Sequence, residues 1–220
     1  SIAMVSPGML QNPNVRRWLG DAMPAWTLLD QRSFAALRHP PSAQGSAIRL
    51  VTDLTAEEID QSAVTRNALI LLQAASVAPG LKLTATGNLS RQVVAEMWDT
   101  FSWPDFDKEQ ALLFHKAINE PDFLPLFFVR HLLENTRLVA KRKGHLRITR
   151  TGMRMLQSPG RDALQALLFH VALWIIDLSY FSRGLLGGWP QQDAGVVLWS
   201  LSVSANEWMP PARLARLCTI

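Results

Sequence analysis

The sequence is poor in cysteine, in charge and in long apolar runs. Its 220 residues include one cysteine, Cys218, so an intramolecular disulfide is excluded and a reducing compartment is favoured. Charged residues make up 18% of the chain, below the roughly 25% of an average soluble protein, and hydrophobic residues make up 48%. This composition excludes a disordered chain, because disorder combines low hydrophobicity with high net charge. It predicts a globular protein with a buried core.

No apolar run reaches the roughly 18 residues that a membrane-spanning helix needs. The most apolar stretch, residues 163–181, is interrupted by Gln165, His170 and Asp177. We interpret it as a buried helix and expect no membrane segment. No apolar leader follows the first residues, so we expect a cytoplasmic protein.

Catalytic and metal-binding motifs are also missing. The sequence contains no G-x-S-x-G, H-E-x-x-H, G-x-x-x-x-G-K-[ST] or G-x-G-x-x-G pattern. Cys218 has no histidine near it in sequence, which makes it a poor candidate nucleophile. His170 with Asp177, and His131 with Glu134, each supply only two ligands of a metal site. We therefore expect no catalytic residue, metal or cofactor, and the sequence favours a role other than catalysis.

Positive charge is concentrated in one segment that lacks acidic residues. Residues 135–161 contain eight basic side chains: Arg137, Lys141, Arg142, Lys143, Arg147, Arg150, Arg154 and Arg161. The segment carries +8 and the whole chain carries +4, so the remaining residues carry −4. Such a segment suits a phosphate-bearing partner, but it also suits a solvated or protein-binding face.

Helical patterns dominate the chain and predict a mostly α fold. We divide it into an N-terminal helical and loop segment, 1–52, and a helical domain, 53–220. Thr55 and Glu58 form a predicted capping box that opens a helix reaching about Val77. The C-terminal quarter is rich in tryptophan, which is typical of a core and also of contacts between chains. A homodimer through the C-terminal helices is therefore one hypothesis.

Two short alternating segments predict a β-hairpin. Val139–Arg142 and Leu146–Thr149 flank Lys143-Gly144, and Gly144 permits the positive φ that a tight turn requires. The second segment also begins a repeated pattern, because residues 146–152 match residues 81–87. Both copies have the order leucine, basic residue, aliphatic residue, threonine, any residue, threonine and glycine. In each copy we predict a short strand and then a threonine that caps a helix. Duplication and convergence explain the repeat equally well.

The surroundings of the hairpin match known patterns. The basic turn Lys141-Arg142-Lys143-Gly144 follows a helix that ends in Leu138-Val139, and Ile148-Thr149-Arg150-Thr151-Gly152 opens the next helix. In these residues the stretch 124–156 resembles the winged-helix unit of multiple-antibiotic-resistance-type regulators. The resemblance implies a helical bundle that contains a winged-helix-like unit, with a short β-hairpin, at 121–158.

A second resemblance covers residues 64–181. The motifs Lys82-Leu83-Thr84, Gly87-Asn88-Leu89 and Val93-Val94 are similar to a segment of an uncharacterised bacterial family that is sometimes joined to a plasmid ORF-3-like domain. This resemblance implies no activity.

The winged-helix resemblance implies a nucleic-acid-binding, regulator-like protein. The helix before the hairpin is apolar nearly all round, however, and its polar stripe includes Glu134, so we expect contact with phosphates rather than reading of bases. The candidate contact residues are Lys141, Arg142, Lys143, Arg147, Arg150, Arg130 and Arg137. The alternative is a protein-interaction or structural module that has the winged-helix frame and does not read DNA.

Overall fold

A computed structural model describes residues 9–51, 53–104, 106–114, 117–157, 160–182 and 191–219. The described chain is mostly helical, as the sequence predicts, with one small antiparallel sheet. The α-helices are α1 Pro13–Leu19, α2 Gln31–Arg38, α3 Ala56–Gln61, α4 Ala63–Ser76, α5 Arg91–Thr100, α6 Lys108–Phe114, α7 Leu124–Asn135, α8 Arg150–Leu156, α9 Arg161–Trp174, α10 Ala194–Ser204 and α11 Pro211–Cys218. The strands are β1 Leu81–Lys82, β2 Val139–Arg142 and β3 His145–Ile148.

The chain divides into two compact units. The first combines Ser1–Leu50 with Gly188–Ile220, and the second is the continuous segment Val51–Gly187. The sequence-based division instead groups 53–220 together, because local patterns do not show that the C-terminal helices pack with the N-terminal ones. In the first unit α10 packs against α2 and α11. Gly195 lies so close to the carbonyl of Leu37 that a side chain at this position has no room.

The second unit is built around α4. Ala68, Leu71 and Leu72 on this helix are fully buried, and α4 packs against α7, α8, α9 and β3. The capping box between Thr55 and Glu58 is present. The predicted single helix is nevertheless divided into α3 and α4, because Ser62 adopts an extended backbone and caps α4 through the Thr65 amide.

The sheet has the strand order β1-β3-β2, and both pairs are antiparallel. The hairpin of β2 and β3 lies where the sequence predicts it, and the third strand comes from the other copy of the repeat. Leu81 pairs with Leu146, and all three of Leu81, Val139 and Leu146 are buried on the inner face. Alternation then directs the intervening residues of each strand to the opposite face of the sheet.

Candidate nucleic-acid interface

The hairpin of β2 and β3 presents three consecutive cations to solvent. Lys141, Arg142 and Lys143 are exposed. The turn itself is tight because Lys143 and Gly144 both have positive φ, +49° and +73°, which is the backbone of the two-residue turns that match strand twist. Glycine adopts this conformation without the steric cost that a side chain adds. The local sequence therefore places Lys143 at the tip of the hairpin.

Three further predicted residues lie near the hairpin. Arg150 is exposed at the first position of α8, and Arg137 is exposed just after α7, where it has a φ of +56°. Arg147 is half-buried on the central strand, β3. We name these residues and the three cations of the hairpin the basic region. Alternation places Lys141 on the face of the sheet that carries Leu146, and Arg142 and Arg147 on the opposite face.

Arg130 lies in the interior, apart from this region. Its side chain is 3% exposed and forms an ion pair with Glu120 at 2.5 Å, and the side chain of Glu120 is 0% exposed. Arg130 also donates to the carbonyl of Gly87 at 2.7 Å and to Glu134 at 3.2 Å. Burial by itself lowers the pKa of Arg130, but the hydrogen bond and the charge of Glu120, together with Glu134, raise it above the ordinary arginine value. A cation held in this way is not available to a phosphate.

Glu134 connects the interior ion pair to the hairpin. Its Oε1 accepts from Arg130 and lies 3.5 Å from Nζ of Lys141. Lys141 is 53% exposed at its side chain, so solvent screens this second contact. An external anion must therefore compete with Glu134 for Lys141. Among the described residues, no such carboxylate pairs with Arg142 or Lys143.

The outward side of α7 is covered by aromatic residues. The ring of Phe181 lies 5.7 Å from Phe127, 5.1 Å from Phe128 and 5.5 Å from His131, and Tyr180 stacks on Phe127 at 5.9 Å. The predicted polar stripe consists of Arg130, His131, Glu134 and Arg137, and only Arg137 is exposed. Aromatic rings therefore cover part of the side of α7 that carries His131, and His131 itself is only partly exposed.

Two charged residues, one near the hairpin and one in the interior, are not among the candidate contact residues predicted from the sequence. Lys82 is exposed on β1, directly opposite His145 of β3. The repeat could have predicted Lys82 as a contact residue, because the pattern aligns it with Arg147. No sequence pattern predicts Glu120 as the buried partner of Arg130, since the residues around Glu120 indicate only a helix start.

Other candidate sites receive no structural support. Among the described residues no three histidine, cysteine, aspartate or glutamate side chains gather as metal ligands. Cys218 is buried, and burial raises the pKa of its thiol, which disfavours the reactive thiolate. Within the same described ranges, no helix combines the length and apolar character required to cross a membrane.

Two pockets lie in the second unit. One, of about 310 Å³, is apolar and is lined by Trp103, Pro104, Phe106, Leu124, Pro125, Phe128 and Phe181. The other, of about 470 Å³, is polar and lies between residues 84–91 and 119–122. None of the predicted contact residues lines either pocket.

Comparison with known proteins gives a partial match. No solved structure is similar to the chain. The uncharacterised protein y4jL of Sinorhizobium fredii strain NGR234 is 31% identical over 112 residues, which are 51% of this chain and 50% of that protein. The chain thus spans about half the length of the curated relative that it matches. Residues 60–161 match the family profile of the Y4jL N-terminal domain. The matches support an uncharacterised bacterial family, as the sequence predicts, and the similar region contains α4, the whole sheet and the basic hairpin.

Proposed function

We propose that the second unit binds nucleic acid by contacting phosphates with its basic hairpin, defined as residues 139–148. The observation that carries the proposal is the run Lys141, Arg142 and Lys143, which is exposed at the end of β2 and in the two-residue turn that follows it. Phosphate contacts require positive charge in a fixed position and need no side chains that read bases.

The order of elements supports a winged-helix-like frame for this function. Two helices with a short strand between them (α4, β1 and α5), followed by α6, precede α7, and the hairpin follows α7 directly. The sheet order β1-β3-β2 places the hairpin strand β3 in the centre. This frame includes residues 81–82 and so begins earlier than the predicted unit at 121–158.

The proposed mode is contact with the backbone and not with base edges. A helix that reads bases in the major groove does so with exposed polar side chains. In α7 the side chain of Arg130 is paired with Glu120, and His131 packs against Phe181 and Tyr180. Of the seven candidate contact residues, Arg130 therefore takes no part, and the proposed contacts are Lys141, Arg142, Lys143, Arg147, Arg150 and Arg137.

Fluorescence anisotropy with labelled oligonucleotides tests the proposal. We expect binding of the wild-type chain that weakens steeply between about 50 and 200 mM salt. The triple variant Lys141→Ala/Arg142→Ala/Lys143→Ala should lower the slope of log K against log salt by up to about 2.7, because each lost phosphate contact removes about 0.9. A matched control is Arg17→Ala/Arg32→Ala/Arg213→Ala, which removes three exposed cations of the first unit.

The control distinguishes a local surface from net charge. If both triple variants weaken binding equally, general attraction to a basic protein accounts for the result and the hairpin is not the site. If the wild-type chain binds no oligonucleotide at low salt, the alternative of a protein-interaction module takes its place. The covered face of α7 favours that alternative, since it removes the usual means of reading a sequence.

A homodimer through the C-terminal helices stays a prediction. Trp208, which lies between α10 and α11, is fully exposed, and Val203 on α10 is 41% exposed. Exposed tryptophan is typical of contacts between chains. Light scattering over a range of concentrations checks this: a mass that stays at 24.6 kDa excludes the dimer.

A further inference from the structure

The register of the sheet collects cations on its outer face. Lys82 pairs with His145, and His145 pairs with Arg142, so these three side chains form one row across the strands. Neighbouring strands lie about 4.8 Å apart, which separates the backbones of Lys82 and Arg142 by roughly 10 Å. Lys82 and Arg142 are exposed and His145 is half-exposed. The row is thus a strip of basic side chains about as wide as the sheet.

Arg147 lies in the next row, between two small residues. It pairs with Ala140 on one side, and continuing the β1 register places Gly80 on the other. A Cβ added to Gly80 would lie 2.8 Å from Cγ of Arg147, so the absence of a side chain there gives Arg147 room to lie along the sheet. We name the six residues Gly80, Lys82, Ala140, Arg142, His145 and Arg147 the outer face.

The outer face combines three properties that select a partner. Its neutral members, Gly80 and Ala140, are small, so no bulky neutral side chain separates the cations. It has no acidic residue, as β1, β2 and β3 contain none. Its one ring is the imidazole of His145, since residues 80–82 and 139–148 contain no phenylalanine, tyrosine or tryptophan. Proteins that hold single strands stack successive bases on a series of aromatic rings, and this surface offers no such series.

We propose that the outer face and the tip of the hairpin together bind the sugar-phosphate backbone of a duplex, so that the ligand is double-stranded nucleic acid bound without regard to sequence. This inference rests on the proposed function, and it adds Lys82 and His145 to the contact residues. A duplex presents phosphates on a rigid surface that a cationic sheet can contact without unstacking any base. The covered α7 accounts for the lack of sequence preference, because no helix enters a groove to read base edges.

The test measures the affinity of the chain at 50 mM salt for three 20-nucleotide ligands of one sequence: duplex DNA, duplex RNA and the single strand. A second duplex of unrelated sequence completes the set. We expect both DNA duplexes to bind within about threefold of each other, and at least one kind of duplex to bind more tightly than the single strand. The charge reversal Lys82→Glu should weaken duplex binding by about tenfold or more, the loss expected for one phosphate contact near 0.1 M salt.

Arg49→Glu is the matched control, because Arg49 is an exposed cation of the first unit, and far-ultraviolet circular dichroism verifies that both variants fold. Tighter binding of the single strand, or strong preference for one duplex sequence, overturns the inference. So does an unchanged affinity in Lys82→Glu when the hairpin triple variant loses binding. The proposed function survives all three of these results, whereas a wild-type chain that binds none of the oligonucleotides removes the proposed function as well.

Discussion

At the scale of single residues, Arg130 and Lys143 show how differently two predicted contact residues can be used. Lys143 belongs to the basic segment 135–161, and Arg130 precedes it on α7. Lys143 is exposed at a turn whose backbone is set by its own neighbour, Gly144. Arg130 is buried because Glu120, ten residues away, meets it in the interior. The local pattern is sufficient for the first residue, and the second depends on a partner that only packing brings near.

The buried ion pair leads to a prediction about stability. Arg130→Met leaves the carboxylate of Glu120 buried without its cation, and we expect a loss of about 3–5 kcal/mol in the free energy of unfolding. Urea unfolding followed by circular dichroism measures it. Arg137→Met, at an exposed cation seven positions later in the sequence, should cost less than about 0.5 kcal/mol.

A second variant separates charge from packing at this position. In Glu120→Gln/Arg130→Met the uncompensated charge is gone, while glutamine still accepts from the amide of Leu89, which Glu120 contacts at 2.6 Å. The double variant should therefore be more stable than Arg130→Met alone. If it is less stable, the loss in Arg130→Met comes from packing and not from the unpaired carboxylate.

At the scale of elements, the two copies of the repeated pattern form different structures. In the second copy Thr149 caps α8, since its hydroxyl accepts from the amide of Gly152 at 3.1 Å and lies 2.9 Å from the carbonyl of Arg137. In the first copy Thr84 closes a turn with Asn88, and Ser90 caps α5 instead. The predicted cap is confirmed for Thr149 and is wrong for Thr84. The same local pattern permits both outcomes, because a threonine can stabilise a turn as well as a helix start.

The cap of α8 gives a prediction at this scale. Thr149→Ala removes an acceptor from the first turn of the helix, and we expect a loss of about 1 kcal/mol in the free energy of unfolding. Thr151→Ala is the matched control, since the side chain of Thr151 in α8 forms no hydrogen bond with the part of the chain that the structure describes, and alanine favours a helix. Equal midpoints of thermal unfolding for wild type and Thr149→Ala would show that the cap contributes nothing.

At the scale of the whole molecule, one unit contains the entire large core. Every buried residue of that core lies between Ala68 and Ile176, within the second unit. The fragment 51–187 should therefore fold by itself and unfold cooperatively in urea, as small domains with one core do. The fragment 81–187 lacks the fully buried Leu71 and Leu72 of α4, and we expect it to show no cooperative transition.

Circular dichroism of both fragments checks this prediction. A gradual loss of signal in 51–187 would mean that residues of the first unit are needed to complete the fold. Cooperative unfolding of 81–187 would instead mean that α4 is dispensable, against its position at the centre of the core. The same fragment 51–187, if folded, should retain any nucleic-acid binding that the intact chain shows, because it contains the hairpin and β1.

The sequence by itself determined the mostly helical fold, the hairpin and the concentration of positive charge. Each depends on neighbours within a few residues: alternation in Val139–Arg142, the permissive backbone of Gly144, and a segment without acids. The tertiary structure decided which cations are free, which strand completes the sheet and which side of α7 is covered. Those outcomes depend on contacts between distant segments, such as Glu120 with Arg130 and Leu81 with Leu146. Burial and pairing select such partners through packing of the whole unit, and no local pattern specifies them.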